Sequence, residues 1–200
     1  MSSDYSHCDI ENMKTLTEEL DEMIDVVTKL VWTFTIFQAL FKKKDPGSEV
    51  RNAHPQFFLT MHDSLLCSFC VAVEILFEEK EKATSLWSLI RQSSPQPMNE
   101  LARKIDVHRS SIKKIEAMRH QVCAHRWKAK SPQQVFIEVQ LRFSMMTEIA
   151  DLARVLILDL VGEMDGNRKT ELEQQQLSES ALISIADDAA NVLESFHVSE

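Results

Sequence analysis

Glycine is nearly missing from this chain, and proline is scarce. Three glycines and five prolines in 200 residues leave too few turn-formers for the many short strands of a sandwich or barrel. The loops that cradle phosphates are missing as well. No Gly-x-Gly-x-x-Gly, Walker A string or Gly-x-Ser-x-Gly occurs, which removes the functional readings those motifs carry. Cys67 and Cys70 form a Cys-x-x-Cys pair, but no second such pair exists. Zinc would need two more ligands, from His62, Cys8 or Cys123, so packing in an apolar helix is the expectation for these thiols. The acids Glu18, Glu19, Asp21, Glu22 and Asp25 lack the Glu-x-x-His partners of a di-metal bundle and read as a solvated face. No metal and no cofactor is expected. The apolar run Leu30–Phe41 is short for a bilayer span and meets Lys42, Lys43 and Lys44 directly. The acidic start has no basic segment followed by an apolar one, so no secretory leader is expected. These signs together imply a soluble, cytoplasmic protein with free cysteines and no membrane partner.

What is present is helical periodicity. An apolar share of 44% supports a real core, and the apolar residues recur at spacings of three and four. A mobile tail is expected over residues 1–14. The first helix is expected from about Thr15 to Lys43, with a stripe through Leu20, Val27, Phe34 and Phe41. A second runs from His54-Pro55 to about Glu81 and a shorter one from Lys82 to Gln92, with Ser93–Pro97 as a loop. The fourth starts near Met98 or Ser110 and reaches Lys128. A fifth, unbroken, spans Pro132 to Met164 despite a period-two stretch at Ile137–Phe143. A sixth, acidic and glutamine-rich at first, covers Thr170–Phe196. The architecture expected is all-α, an up-and-down bundle of about five to six helices over residues 15–165, with residues 166–200 packing on the bundle or on a dimer partner.

Charge is distributed unevenly. The chain carries a net −9, from 22 basic and 31 acidic residues. Yet Arg103–Lys130 holds nine Lys or Arg against Asp106 and Glu116, a local +7. Such a stretch either focuses a polyanion onto one groove or forms a solvated helix face. Within it Arg119, His120, His125 and Arg126 fall in eight positions, a concentration of guanidinium and imidazole suited to holding a phosphodiester and moving a proton near neutral pH. The plain alternative is an Arg and two His complementing a helix C-terminus, with Arg119 bridging to Glu116 or to an acid on the first helix. On an ideal helix the six steps from Arg119 to His125 leave their side chains about 120° apart. They meet only if the helix bends near Cys123-Ala124 or a second subunit completes the site.

Arg119-His120, then His125, Arg126 and Trp127, in a helical chain, resembles the HEPN superfamily. Its hallmark is an Arg followed by a polar residue and, after a short spacer, a His. Met118–Ala129 followed by Ser131-Pro132 looks closest to the AbiU2-like, abortive-infection branch. The resemblance implies a HEPN-like bundle, a homodimer with a composite groove, and a phage-defence or toxin–antitoxin setting with a cognate antitoxin protein as a possible partner. It implies metal-independent RNA cleavage by 2′-hydroxyl attack. His125 would be general acid or base, Arg119 the phosphate clamp, and His120 the polar residue that orients the phosphate or the other His. Lys113, Lys114, Arg126 and Lys128 would guide the RNA backbone, and Trp127 would stack a base. Toxins of this kind that are silenced by nucleotidyl transfer carry a Tyr two residues after the His. Here Trp127 stands there, without an acceptor hydroxyl. Asp63 is a further candidate for orienting a motif His. The alternative from another class is a non-catalytic HEPN-like module that binds RNA, a nucleotide or a protein; a third is a plain scaffolding bundle.

Overall fold

The computed structural model describes residues 15–41, 48–80, 83–92, 95–122, 132–164, 166–175 and 177–195. Among them every regular element is helical: α1 (Leu16–Phe41), α2 (Ser48–Ala53), α3 (Pro55–Phe77), α4 (Leu86–Gln92), α5 (Pro95–Val122), α6 (Pro132–Glu138), α7 (Phe143–Met164), α8 (Gly166–Gln175) and α9 (Glu179–Ser195). The all-helical bundle is as expected, but its segmentation is finer. Residues 1–14 and 123–131, which hold the expected tail and the end of the motif helix, lie outside the described residues.

α1 opens with a reciprocal cap. The Glu18 amide donates to Thr15 Oγ1 at 3.3 Å, and the Thr15 amide donates to Glu18 Oε2 at 2.7 Å, which satisfies two amides that the first turn leaves unpaired. The expected stripe is buried at Leu20, Val27 and Phe34, and half-buried at Phe41. It packs on α3, α7, α9 and α4, while α5 packs on α3, α4 and α7. Phe34 and Phe37 lie against Phe143 of α7 with ring centroids 5.4 and 5.6 Å apart, and Phe34 reaches Phe69 of α3 at 5.3 Å. Aromatic rings thus join three helices at one level of the core. By length and composition α1 and α3 could each cross a bilayer, which the short run Leu30–Phe41 did not convey. In this fold both are core helices of the bundle.

Several expected boundaries move. α3 stops at Phe77, because Glu78 takes an extended conformation and its carbonyl accepts the Ser85 hydroxyl at 2.8 Å. Ser85 also accepts the Ser88 amide and so caps α4. The loop expected at Ser93–Pro97 is instead, from Pro95, the first turn of α5. Proline there removes only an amide with no partner in the helix. The fifth helix is two. At its break Gln140 has φ 53°, the Leu141 amide donates to the Phe136 carbonyl at 3.2 Å, and the Gln140 amide donates to Ile137 at 3.1 Å. This pair of bonds and a left-handed residue make a Schellman stop built without glycine. Gly162 lies inside α7, and Gly166 begins α8. The sixth helix is likewise divided. The Leu177 amide closes back on Leu172 at 3.0 Å, and Ser178 Oγ accepts the Ala181 amide to start α9.

Candidate functional site

The rotation of α5 is set by Leu101, Ile105, Ile112, Ile115, Met118 and Val122, all buried. Met118 is fully buried, so Arg119, one step of about 100° further round the helix, emerges at the boundary with α3. On α3, Cys70, Val73, Leu76 and Phe77 are buried, and Glu74 emerges at the same boundary. There Arg119 Nε meets Glu74 Oε2 at 2.7 Å, with the two side chains 31% and 24% exposed. Arg119 NH1 lies 3.4 Å from His120 Nδ1. His120 Nε2 stands 4.0 Å from Glu74 Oε1, beyond a hydrogen bond but on the same side. Glu74, Arg119 and His120 form one cluster across two helices. The partner of Arg119 is thus neither Glu116 nor an acid of the first helix.

Beside the cluster is a groove of about 350 Å³ lined by Glu74, Trp87, Arg109, Lys113, Glu116 and His120, with Phe77, Ile105 and Ile112 among its walls. Burial pushes the Glu116 carboxyl above its ordinary value, the charges of Glu74 and Glu79 push the same way, and His120 and Lys113 partly offset them. Arg109 ties the rim together through Glu79 at 2.6 Å and Asp106 at 2.9 Å. The groove therefore has apolar walls at Phe77, Ile105 and Ile112, and charges of both signs around it, Glu116 of α5 among the carboxylates.

The candidate residues separate. Arg119 and His120 are brought together, and Lys113 shares the groove with His120. Lys114 is turned elsewhere, donating its Nζ to the Gln140 carbonyl at 3.4 Å. His125, Arg126, Trp127 and Lys128 lie outside the described residues. Among the described residues Asp63 meets His62 rather than Arg119 or His120. Its carboxylate sits 3.2 Å from His62 Nδ1, and the His62 ring packs on Phe37 and Phe41. Of the thiols, Cys70 is buried in the core and Cys67 half-buried. Among the described residues no three His, Cys, Asp or Glu side chains gather as metal ligands would.

Sequence reasoning missed Glu74 and Trp87, and offered Glu116 only as a partner for Arg119. For Glu74 a signal existed: between Asp63 and Glu78 it is the one charge in an otherwise apolar or neutral helix. A carboxylate in such a helix needs a cation or water close by. Asp63 carried the same signal, and only the tertiary structure separates the two. Nothing in the sequence singled out Trp87.

The chain matches no protein-family model, no curated protein and no solved structure.

Proposed function

We propose that this chain is a metal-independent endoribonuclease of the HEPN type. The observation that carries the reading is the Arg119–His120 pair near the end of α5, beside a groove with room for a nucleotide and an aromatic wall at Trp87. A guanidinium is planar, permanently charged and shaped for phosphate oxygens. Placed against a scissile phosphodiester, Arg119 stabilises the charge that gathers on phosphorus-bound oxygen as the 2′-hydroxyl attacks. The 2′-oxygen bonds to phosphorus while the bond to the 5′-oxygen breaks. One proton leaves the 2′-hydroxyl and one reaches the departing 5′-oxygen. The products are a 2′,3′-cyclic phosphate and a 5′-hydroxyl. In this scheme His125 transfers a proton, and His120 orients the phosphate. A second copy completes the site across a dimer axis, in a soluble, cytoplasmic protein of the abortive-infection kind whose cognate antitoxin restrains it.

The second reading is a HEPN-like module that binds RNA, a nucleotide or a protein without cutting. It is favoured by the ion pair itself, since Glu74 already neutralises Arg119, and by the net −9 of the chain.

Cleavage of a mixed RNA pool in EDTA separates the two. Cyclic-phosphate ends made by the wild type, and lost by about 10²-fold or more in both His125→Ala and Arg119→Ala, establish the nuclease. A folded wild type that binds the pool and leaves it intact establishes the binding module.

A further inference from the structure

We infer that Glu74 is a positioning residue, which holds Arg119 by its Nε edge and through it commits His120 to the tautomer protonated on Nε2. The argument begins with what each group can do. A guanidinium has five N–H donors and no acceptor. Arg119 NH1 faces His120 Nδ1 at 3.4 Å, an arrangement in which that nitrogen accepts and a neutral imidazole carries its proton on Nε2. The carboxylate of Glu74 occupies the Nε side of the same guanidinium at 2.7 Å. Held at that edge, Arg119 keeps its NH1 on the side of the imidazole, which is itself more than half exposed. Glu74 itself stands on a helix whose rotation is locked by Val73 and Leu76, both fully buried. Its second oxygen lies on the Nε2 side of His120, which electrostatically favours a proton there.

The consequence for the proposed reaction is a division of labour. His120 lines the groove and offers it an N–H donor rather than a free lone pair. That donor suits an oxygen of a phosphodiester, with Arg119 standing beside the groove as the support of the imidazole. Proton abstraction from the 2′-hydroxyl is then left to another base. This functional half rests on the ribonuclease reading above. The tautomer half rests on geometry alone.

The test uses the full chain labelled with ¹⁵N-histidine, with the His120 signals assigned through His120→Asn. In the wild type at neutral pH, His120 is expected to show a pyrrole-type Nε2 and a pyridine-type Nδ1. In Glu74→Ala, checked for folding by circular dichroism, the two nitrogens are expected to average between tautomers. Glu74→Gln keeps an acceptor for the Arg119 Nε–H and is expected to restore the wild-type pattern in part. A His120 spectrum unchanged in Glu74→Ala overturns the proposal. In parallel, the Kd for a short RNA with a 2′-deoxy scissile position is measured. Glu74→Ala is expected to weaken binding about tenfold, the loss typical of one charge-assisted hydrogen bond. Tighter binding in Glu74→Ala would make Glu74 a competitor of the phosphate rather than a support for Arg119, and would equally overturn it. If the wild type binds no RNA, the ribonuclease reading fails and the imidazole spectra alone decide the role of Glu74.

Discussion

Lys104 of α5 donates to Asp159 of α7 at 3.0 Å, as Arg119 further along α5 is bound to Glu74 of α3. The motif helix is thus tied to each of two neighbours by a lysine or arginine ion pair, in addition to its buried stripe. Both partners of the Lys104–Asp159 pair are about one-third exposed, so solvent screens them and the pair is worth under about 1 kcal/mol. The Asp159 carboxylate raises the Lys104 ammonium above its ordinary value. Stability from a raised lysine is complete below its unfolded value and fades as pH climbs through the folded one. Lys104→Met is therefore expected to lower urea stability by a few tenths of a kcal/mol at pH 7. The difference should shrink above pH 10.5.

At Glu116 an upward shift of the same sign marks a charge that folding disfavours. Its carboxyl is raised from 4.5 by burial and by Glu74 and Glu79, so the folded chain binds its proton more tightly than the unfolded chain does. Stability then falls as pH rises through the window just above 4.5, and ionised Glu116 is a net cost at pH 7. Glu116→Gln is expected to raise the thermal midpoint at neutral pH and to flatten that part of the stability profile. Thermal melts across pH 4 to 8 check this. A lower midpoint at pH 7 would contradict it.

Gln140 sits at φ 53°, in the left-handed region where a side chain crowds its own backbone. Gln140→Gly is expected to stabilise the α6–α7 corner by about 0.5–1 kcal/mol, with relief of strain exceeding the added freedom of the unfolded chain. The bond from the Lys114 ammonium to the Gln140 main-chain carbonyl survives the change. Equilibrium unfolding in urea, with an unchanged slope, is the measurement.

Lys113 and Lys114 are neighbours in sequence but not in role. Lys113 lines the groove beside His120, while Lys114 bonds to the Gln140 carbonyl. If the groove receives an RNA backbone, Lys113→Ala is expected to reduce the slope of log Kd against log salt by about 0.7, one phosphate contact on a single strand. Lys114→Ala is expected to leave the slope unchanged. Filter binding at several salt concentrations compares them.

Much of the bundle was legible because burial repeats along a helix. The stripe Leu20, Val27, Phe34 of α1 and the line Ile105, Ile112, Ile115, Met118 of α5 are buried as their spacing implied. What escaped the pattern was where helices stop. The α6–α7 corner has no glycine or proline, and the stop at Gln140 is made by hydrogen bonds that any residue can supply once tertiary packing favours them. The loop expected at Ser93–Pro97 failed for the converse reason, since its prolines fall in a first turn that tolerates them.

The candidate site divides in the same way. From the sequence alone came an all-helical chain, a basic stretch on an acidic protein, and Arg119 and His125 as its outstanding residues, with His120 paired to Arg119 in the chain, because residue type and helical period are local properties. Which acid meets that pair was decided only in three dimensions. Asp63 and Glu74 are equivalent charges on one helix, eleven residues apart. Eleven residues are close to three full turns, so both point to nearly the same side at different heights. Only the level at which α5 crosses α3 gives Arg119 to Glu74 and leaves Asp63 to His62. That level is set by the packing of side chains far apart in sequence, and no local pattern encodes it.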